Sequence, residues 1–118
     1  VLVVDDDPRS LELMRVILRH AGFRVLAATN GGEALDLLAA HPAQLALLDF
    51  WMPDMNGLQL AEQIRARDGV GPVRLLLLTG MDDRQTRAEA IAAGFSDVIV
   101  KPFDRMDLLA RMQTALGQ

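Results

Sequence analysis

Four stretches of this chain are apolar without a break, and each runs into a polar residue. Val1-Leu2-Val3-Val4 leads into Asp5-Asp6-Asp7, Leu45-Ala46-Leu47-Leu48 into Asp49, Leu75–Leu78 into Thr79, and Val98-Ile99-Val100 into Lys101. Runs this short that do not alternate with polar residues predict strands covered on both faces. The predicted strands are residues 1–5, 24–28, 45–49, 73–78 and 97–100, the second being the weakest and expected at an edge.

Between the strands, apolar residues return at helical spacing. Asp7 caps a first helix with Pro8 in its first turn; Leu11, Met14, Ile17, Leu18 and Ala21 form its inward stripe, and Gly22 stops it. Asn30-Gly31-Gly32 predicts a turn before a helix over Glu33–Ala40. A third helix over Leu58–Arg67 turns Leu60, Ala61 and Ile64 inward, and residues 68–72 break it. A fourth lies within Met81–Ala93, with Ala88, Ile91 and Ala92 inward. A fifth is capped by Asp104 and turns Leu108, Leu109, Met112, Ala115 and Leu116 inward. Five strand–helix alternations with right-handed crossovers make an α/β fold, a doubly wound parallel sheet of five strands.

In such a sheet all carboxyl ends lie along one edge, where ligands bind. Asp5, Asp6, Asp49, Thr79 and Lys101 then face one crevice. Three carboxylates close together repel, and a divalent cation relieves that. Mg²⁺ demands oxygen ligands and accepts a few carboxylates alongside water and phosphate. A carboxylate can also attack phosphorus, while an ammonium, a hydroxyl and a cation share the charge on the phosphoryl oxygens. Asp7, Asp54, Asp104 and Asp107 read as caps or solvated groups, and the methionines as core filler.

The chain has 118 residues, 51% of them hydrophobic, which suits one domain with one core. It has no cysteine, and His20 and His41 fall outside the strand ends, so a soft-metal site is disfavoured. A net charge of −4 and an aromatic content of 4% argue against nucleic acid as a partner of this domain. No apolar run approaches the roughly 20 residues of a membrane span, so no membrane insertion is expected. Beginning within a strand and ending just after a helix, residues 1–118 are expected to form one domain of a longer multidomain protein.

The motifs VVDDDP, LLDFWMPDMNG, LLLLTG and AGFSDVIVKPF, in this order and spacing, resemble the receiver domain of two-component response regulators and hybrid histidine kinases. The resemblance spans essentially the whole chain. It implies a flavodoxin-like fold with strand order 2-1-3-4-5, and Mg²⁺-dependent transfer of a phosphoryl group from a phosphohistidine to Asp49. By matching position, Asp6 and Asp49 ligate Mg²⁺ directly, Asp5 acts through water, and the Trp51 backbone carbonyl supplies a further ligand. Mn²⁺ is an acceptable substitute. Thr79 and Lys101 contact the phosphoryl oxygens, and the Lys101–Pro102 bond is cis. The implied partners are a histidine kinase or histidine phosphotransfer domain and a downstream or fused output domain, in the cytoplasm. The family also admits a phosphorylation-dependent homodimer through its fourth helix, fifth strand and fifth helix. Such a domain is a phosphoacceptor switch that catalyses only its own phosphorylation and dephosphorylation, not a metabolic enzyme.

Three positions depart from the family pattern. Val98 stands where an aromatic switch residue is usual, and a β-branched side chain is stiff; Phe95 or Phe103 either substitutes for it or packs in the core. Trp51 and Met81 follow Asp49 and Thr79 by two residues each. They read as a bulky apolar rim that shields the phosphoryl group, or, for Trp51, as a loop aromatic that contacts a partner. A haloacid-dehalogenase-like phosphatase fits less well: Asp5-Asp6-Asp7 satisfies D-x-D, but Pro8 stands where that motif wants Thr or Val, and Asp49 would have no role. A pseudo-receiver is opposed by the complete set of acids, Thr79 and Lys101.

Overall fold

The computed structural model describes residues 1–67, 72–81 and 83–117. Five parallel strands, β1 (Leu2–Val4), β2 (Leu26–Ala28), β3 (Leu45–Asp49), β4 (Arg74–Thr79) and β5 (Asp97–Val100), alternate with five helices. The helices are α1 (Pro8–His20), α2 (Gly31–Ala40), α3 (Gly57–Ala66), α4 (Arg84–Ala92) and α5 (Arg105–Ala115). The sheet order is β2-β1-β3-β4-β5, the flavodoxin-like order implied by the resemblance.

Successive strand residues serve opposite faces. Val3, Leu45, Leu47, Leu76, Leu78 and Ile99 pack with Leu11, Met14 and Leu18 of α1 and Leu108 and Met112 of α5. Leu2, Val4, Ala46, Leu48, Leu75, Leu77 and Val98 pack on the other face with α2, α3 and Ala90 of α4. Both faces are dry, which is why the central runs show no alternation.

Several elements differ from expectation. The first two strands are shorter, because pairing covers only Leu2–Val4 of the first and Leu26–Ala28 of the second. Helix α2 starts two residues early. Asn30 is its cap, accepting from the Glu33 amide at 2.8 Å, so Gly31 and Gly32 form the first turn instead of a preceding bend. Ala21 is exposed at the end of α1, and Ile17, Leu109, Ala115 and Leu116 are only partly buried.

The inward face of α4 is the clearest correction. Ala88, Ile91 and Ala92 are exposed, Ile91 by 69%, while Thr86 and Ala90 are buried. Gly94 ends the helix at φ 96°, and Phe95 turns back to donate its amide to Ala90 O. Phe95 is buried in the same cluster as Ala90 and supplies the bulk there that Ile91 was expected to provide. A helix so rich in alanine offers no strong stripe, so packing decided its rotation. Of the predicted break at 68–72, residues 68–71 lie outside the described residues. Among the described residues, no helix is long and apolar enough to cross a membrane.

Candidate functional site

Strand register aligns the polar residues. Val4 pairs with Leu48, so Asp5 and Asp49 follow at the same level; Leu78 pairs with Asp49, so Thr79 follows one step further, and Thr79 pairs with Val100, so Lys101 follows one step beyond Thr79. The Lys101 amide donates to Thr79 O at 2.7 Å, and the Phe50 amide to Leu78 O at 2.9 Å, extending the sheet pairing past the formal strand ends.

All five residues singled out in the sequence meet at this edge. Asp5, Asp6 and Asp49 each present a carboxylate oxygen within 4.8 Å of the others. Asp5 is fully buried, Asp49 is 7% exposed, and Asp6 faces solvent. The Lys101 Nζ donates to Asp5 Oδ2 and to Asp49 Oδ1, both at 3.1 Å. Asp5 Oδ1 accepts from the Asp7 amide at 3.0 Å. Thr79 is buried, and its Oγ1 accepts from the Met81 amide at 3.1 Å, which orients the hydroxyl and leaves its proton to be donated.

The electrostatics follow from this crowding. Burial pushes the Asp49 carboxyl up to about 6; Lys101 opposes the shift, and Asp5 and Asp6 add to it. Burial pulls the Lys101 ammonium down, but Asp49 and Asp5 outweigh it and hold its pKa above the usual value. One ammonium faces three carboxylates. Such a donor set, all hard oxygens, fits Mg²⁺ or Mn²⁺.

The loop from Phe50 to Asn56 follows directly on Asp49 and leads into α3. The Gly57 amide closes it onto Phe50 O at 2.8 Å. A Cβ on Gly57 would lie 2.8 Å from Asp49 O and 2.9 Å from Leu77 Cδ1, so only glycine lets α3 start this close to β3. Asn56 and Gln59 then form a reciprocal capping box. Trp51 is 65% exposed and meets Phe50 edge to face at 4.8 Å, and Met81 is 38% exposed. Val98 is buried, Phe95 is core, and Phe103 packs partly against the α1–α5 face. The Lys101–Pro102 bond is cis.

Asp54, expected to be a cap or a solvated group, accepts from the Gly31 and Gly32 amides, each at 2.9 Å, at the start of a helix far from it in sequence. Those amides hold its carboxyl below the usual carboxylate range. The partners lie 23 and 22 residues away, so nothing local in the sequence announces the contact.

The profile of the response regulator receiver domain matches residues 1–113, and the chain belongs to that family. It is 34% identical over 116 residues to the transcriptional regulatory protein KdpE of Mycobacterium tuberculosis, covering 98% of this chain and 50% of that protein. It is 39% identical over 116 residues to the response regulator MprA of Mycolicibacterium vanbaalenii, covering 98% and 49%. The crystal structure of the chemotaxis protein CheY4 of Vibrio cholerae superposes with a TM-score of 0.91 at 28% identity, covering 97% of this chain and 95% of that one. The chain spans about half the length of the curated relatives it matches. Phosphoacceptance in two-component signalling is the general role of the family, and its members bind Mg²⁺ at an acidic pocket.

Proposed function

We propose that Asp49 is the phosphoacceptor. The observation that carries this reading is the Lys101 ammonium, held 3.1 Å from both Asp5 and Asp49 within the three-acid cluster. The Asp49 carboxylate attacks the phosphorus of a phosphohistidine; a P–O bond forms as the P–N bond breaks, and the electron pair leaves with the imidazole. Lys101 and the Thr79 hydroxyl bind the phosphoryl oxygens as charge spreads over them. Asp6, Asp49 and the Trp51 carbonyl would hold Mg²⁺. Asp5 acts through water, in keeping with its two oxygens already accepting from Asp7 and Lys101. A cation bound there would supply positive charge against the phosphoryl oxygens.

Residues 1–118 act as one receiver domain of a longer, cytoplasmic protein with a fused or downstream output domain. The half-length match to relatives, one of them named a transcriptional regulatory protein, supports this. The donor is a histidine kinase or phosphotransfer domain. A groove lined by Ser10, Leu13, Pro102 and Phe103 runs beside Lys101 and offers it apolar surface. The domain is a switch and not a metabolic enzyme.

The test is intact-protein mass after incubation with acetyl phosphate, with Mg²⁺ or with EDTA. A gain of one phosphoryl group that needs Mg²⁺ and vanishes in Asp49→Asn is expected. A gain that survives in the mutant would overturn the assignment.

A further inference from the structure

A carbonyl ligand is useful only where its backbone is held to a fraction of an ångström. The Phe50–Asn56 loop, which carries the Trp51 carbonyl, is closed at its ends by Gly57 and the Asn56–Gln59 box. Between those ends it is tied to a different part of the molecule. Asp54 places one carboxylate oxygen on each of two successive amides, Gly31 and Gly32, at the start of α2. The bonds are charge-assisted, and the helix N-terminus favours the negative charge.

The neighbouring contact is shaped for the same docking. A Cβ on Gly31 would fall 2.5 Å from Met55 Sδ, 2.7 Å from its Cγ and 2.8 Å from its Cε. Glycine at 31 therefore lets Met55 pack against the helix start while Asp54 engages its amides. A cap such as Asn30 or Asp104 reaches only residues beside it in sequence. Asp54 instead spans 22 and 23 residues, joining the β2–α2 junction to the β3–α3 loop.

We propose that Asp54 is a positioning residue for the cation site. By clamping the loop onto Gly31 and Gly32 it holds the Trp51 carbonyl where a divalent cation beside Asp49 needs it. The inference rests on the proposed cation site of the acid cluster and the Trp51 carbonyl, and its test separates the two. Mg²⁺ affinity is measured by calorimetry for the wild-type chain, Asp54→Ala, Asp54→Asn and the control Asp104→Ala, which removes the local cap of α5. Urea unfolding is followed in parallel. Losing a group that orients a metal ligand typically weakens metal binding by about 10–100-fold, so Asp54→Ala is expected to raise Kd by about ten-fold. Asp54→Asn keeps one acceptor oxygen and should fall between Ala and wild type. Asp104→Ala should lower the urea midpoint and leave Kd within about two-fold. The anisotropy of Trp51, the single tryptophan of the chain, should drop in metal-free Asp54→Ala but not in Asp104→Ala.

A wild-type Kd in both Asp54 variants, with or without lost stability, would reduce Asp54 to an ordinary helix cap and overturn the proposal. If Asp54→Ala does not fold, Asp54→Asn carries the comparison alone. Absence of saturable Mg²⁺ binding in the wild type would overturn the cation reading itself.

Discussion

From Leu45 to Leu48 every side chain is apolar and has no solvent exposure; at the next position Asp49 is a carboxylate left only 7% exposed. The same change occurs from Leu78 to Thr79 and from Val4 to Asp5. Among the described residues the buried polar side chains are Asp5, Asp49, Thr79 and Thr86, and the first three are at carboxyl ends of strands. The strand interiors stabilise the fold by removing apolar area from water, roughly 25 cal/mol per Å². The strand ends work against it, because like charges are crowded where water is scarce. Lys101 offsets part of that cost. The site is a locally unfavourable arrangement that a well-packed sheet keeps in place.

The contrast is broken or sharpened by substitution on either side of the boundary. Leu76→Ala, in the fully buried centre of β4, should destabilise the protein by about 3–4 kcal/mol. Urea unfolding measures this. A cost below about 1 kcal/mol would mean that the interior is not what holds the edge together.

Asp49→Asn should have the opposite sign. Its carboxyl is pushed up to about 6 in the fold, against about 3.9 unfolded. The ionised form is therefore the disfavoured one, and its penalty is fully present above pH 6. The penalty fades as pH falls through 6 towards 4, where the folded carboxyl is already protonated. In EDTA at pH 8, Asp49→Asn should be more stable than wild type by on the order of 1–2 kcal/mol, allowing for solvent screening. The gap should narrow by pH 5. Urea midpoints at the two pH values check it, and a gap that widens on acidification would show that the Lys101 pairing dominates.

The smallest effect is expected at the exposed rim. Trp51→Asn with Met81→Glu should leave stability within about 0.5 kcal/mol, as surface changes do. Phosphoryl loss should quicken by a few-fold, on the order of 1 kcal/mol in the barrier, as the apolar screen opens to water. The decay of phosphorylated mass after donor removal reads it. An unchanged lifetime would remove the shield and favour Trp51 as a partner contact.

What the sequence determined by itself is what has a local cause. Apolar runs without alternation specify strands buried on both faces, and their order with intervening helices brings the five polar residues to one edge. Asp7 and Asp104 act as caps where they stand beside helix starts, each accepting from amides two or three residues on. The tertiary structure decided what depends on distant partners. Thr86 and Ala90, not Ala88, Ile91 and Ala92, became the inner face of α4, because its alanines fit either rotation and Phe95 filled the core beneath it. Helix α2 began at Gly31 because Asn30 caps it and Asp54 takes its first amides from the far side of β3. Asp54 reads in one dimension as a local cap or a solvated group, because its actual partners come close only once two loops meet. Periodicity and caps act over a few residues and are written in the chain, whereas helix rotation and loop-to-loop bonds are set by packing between segments that the chain order keeps apart.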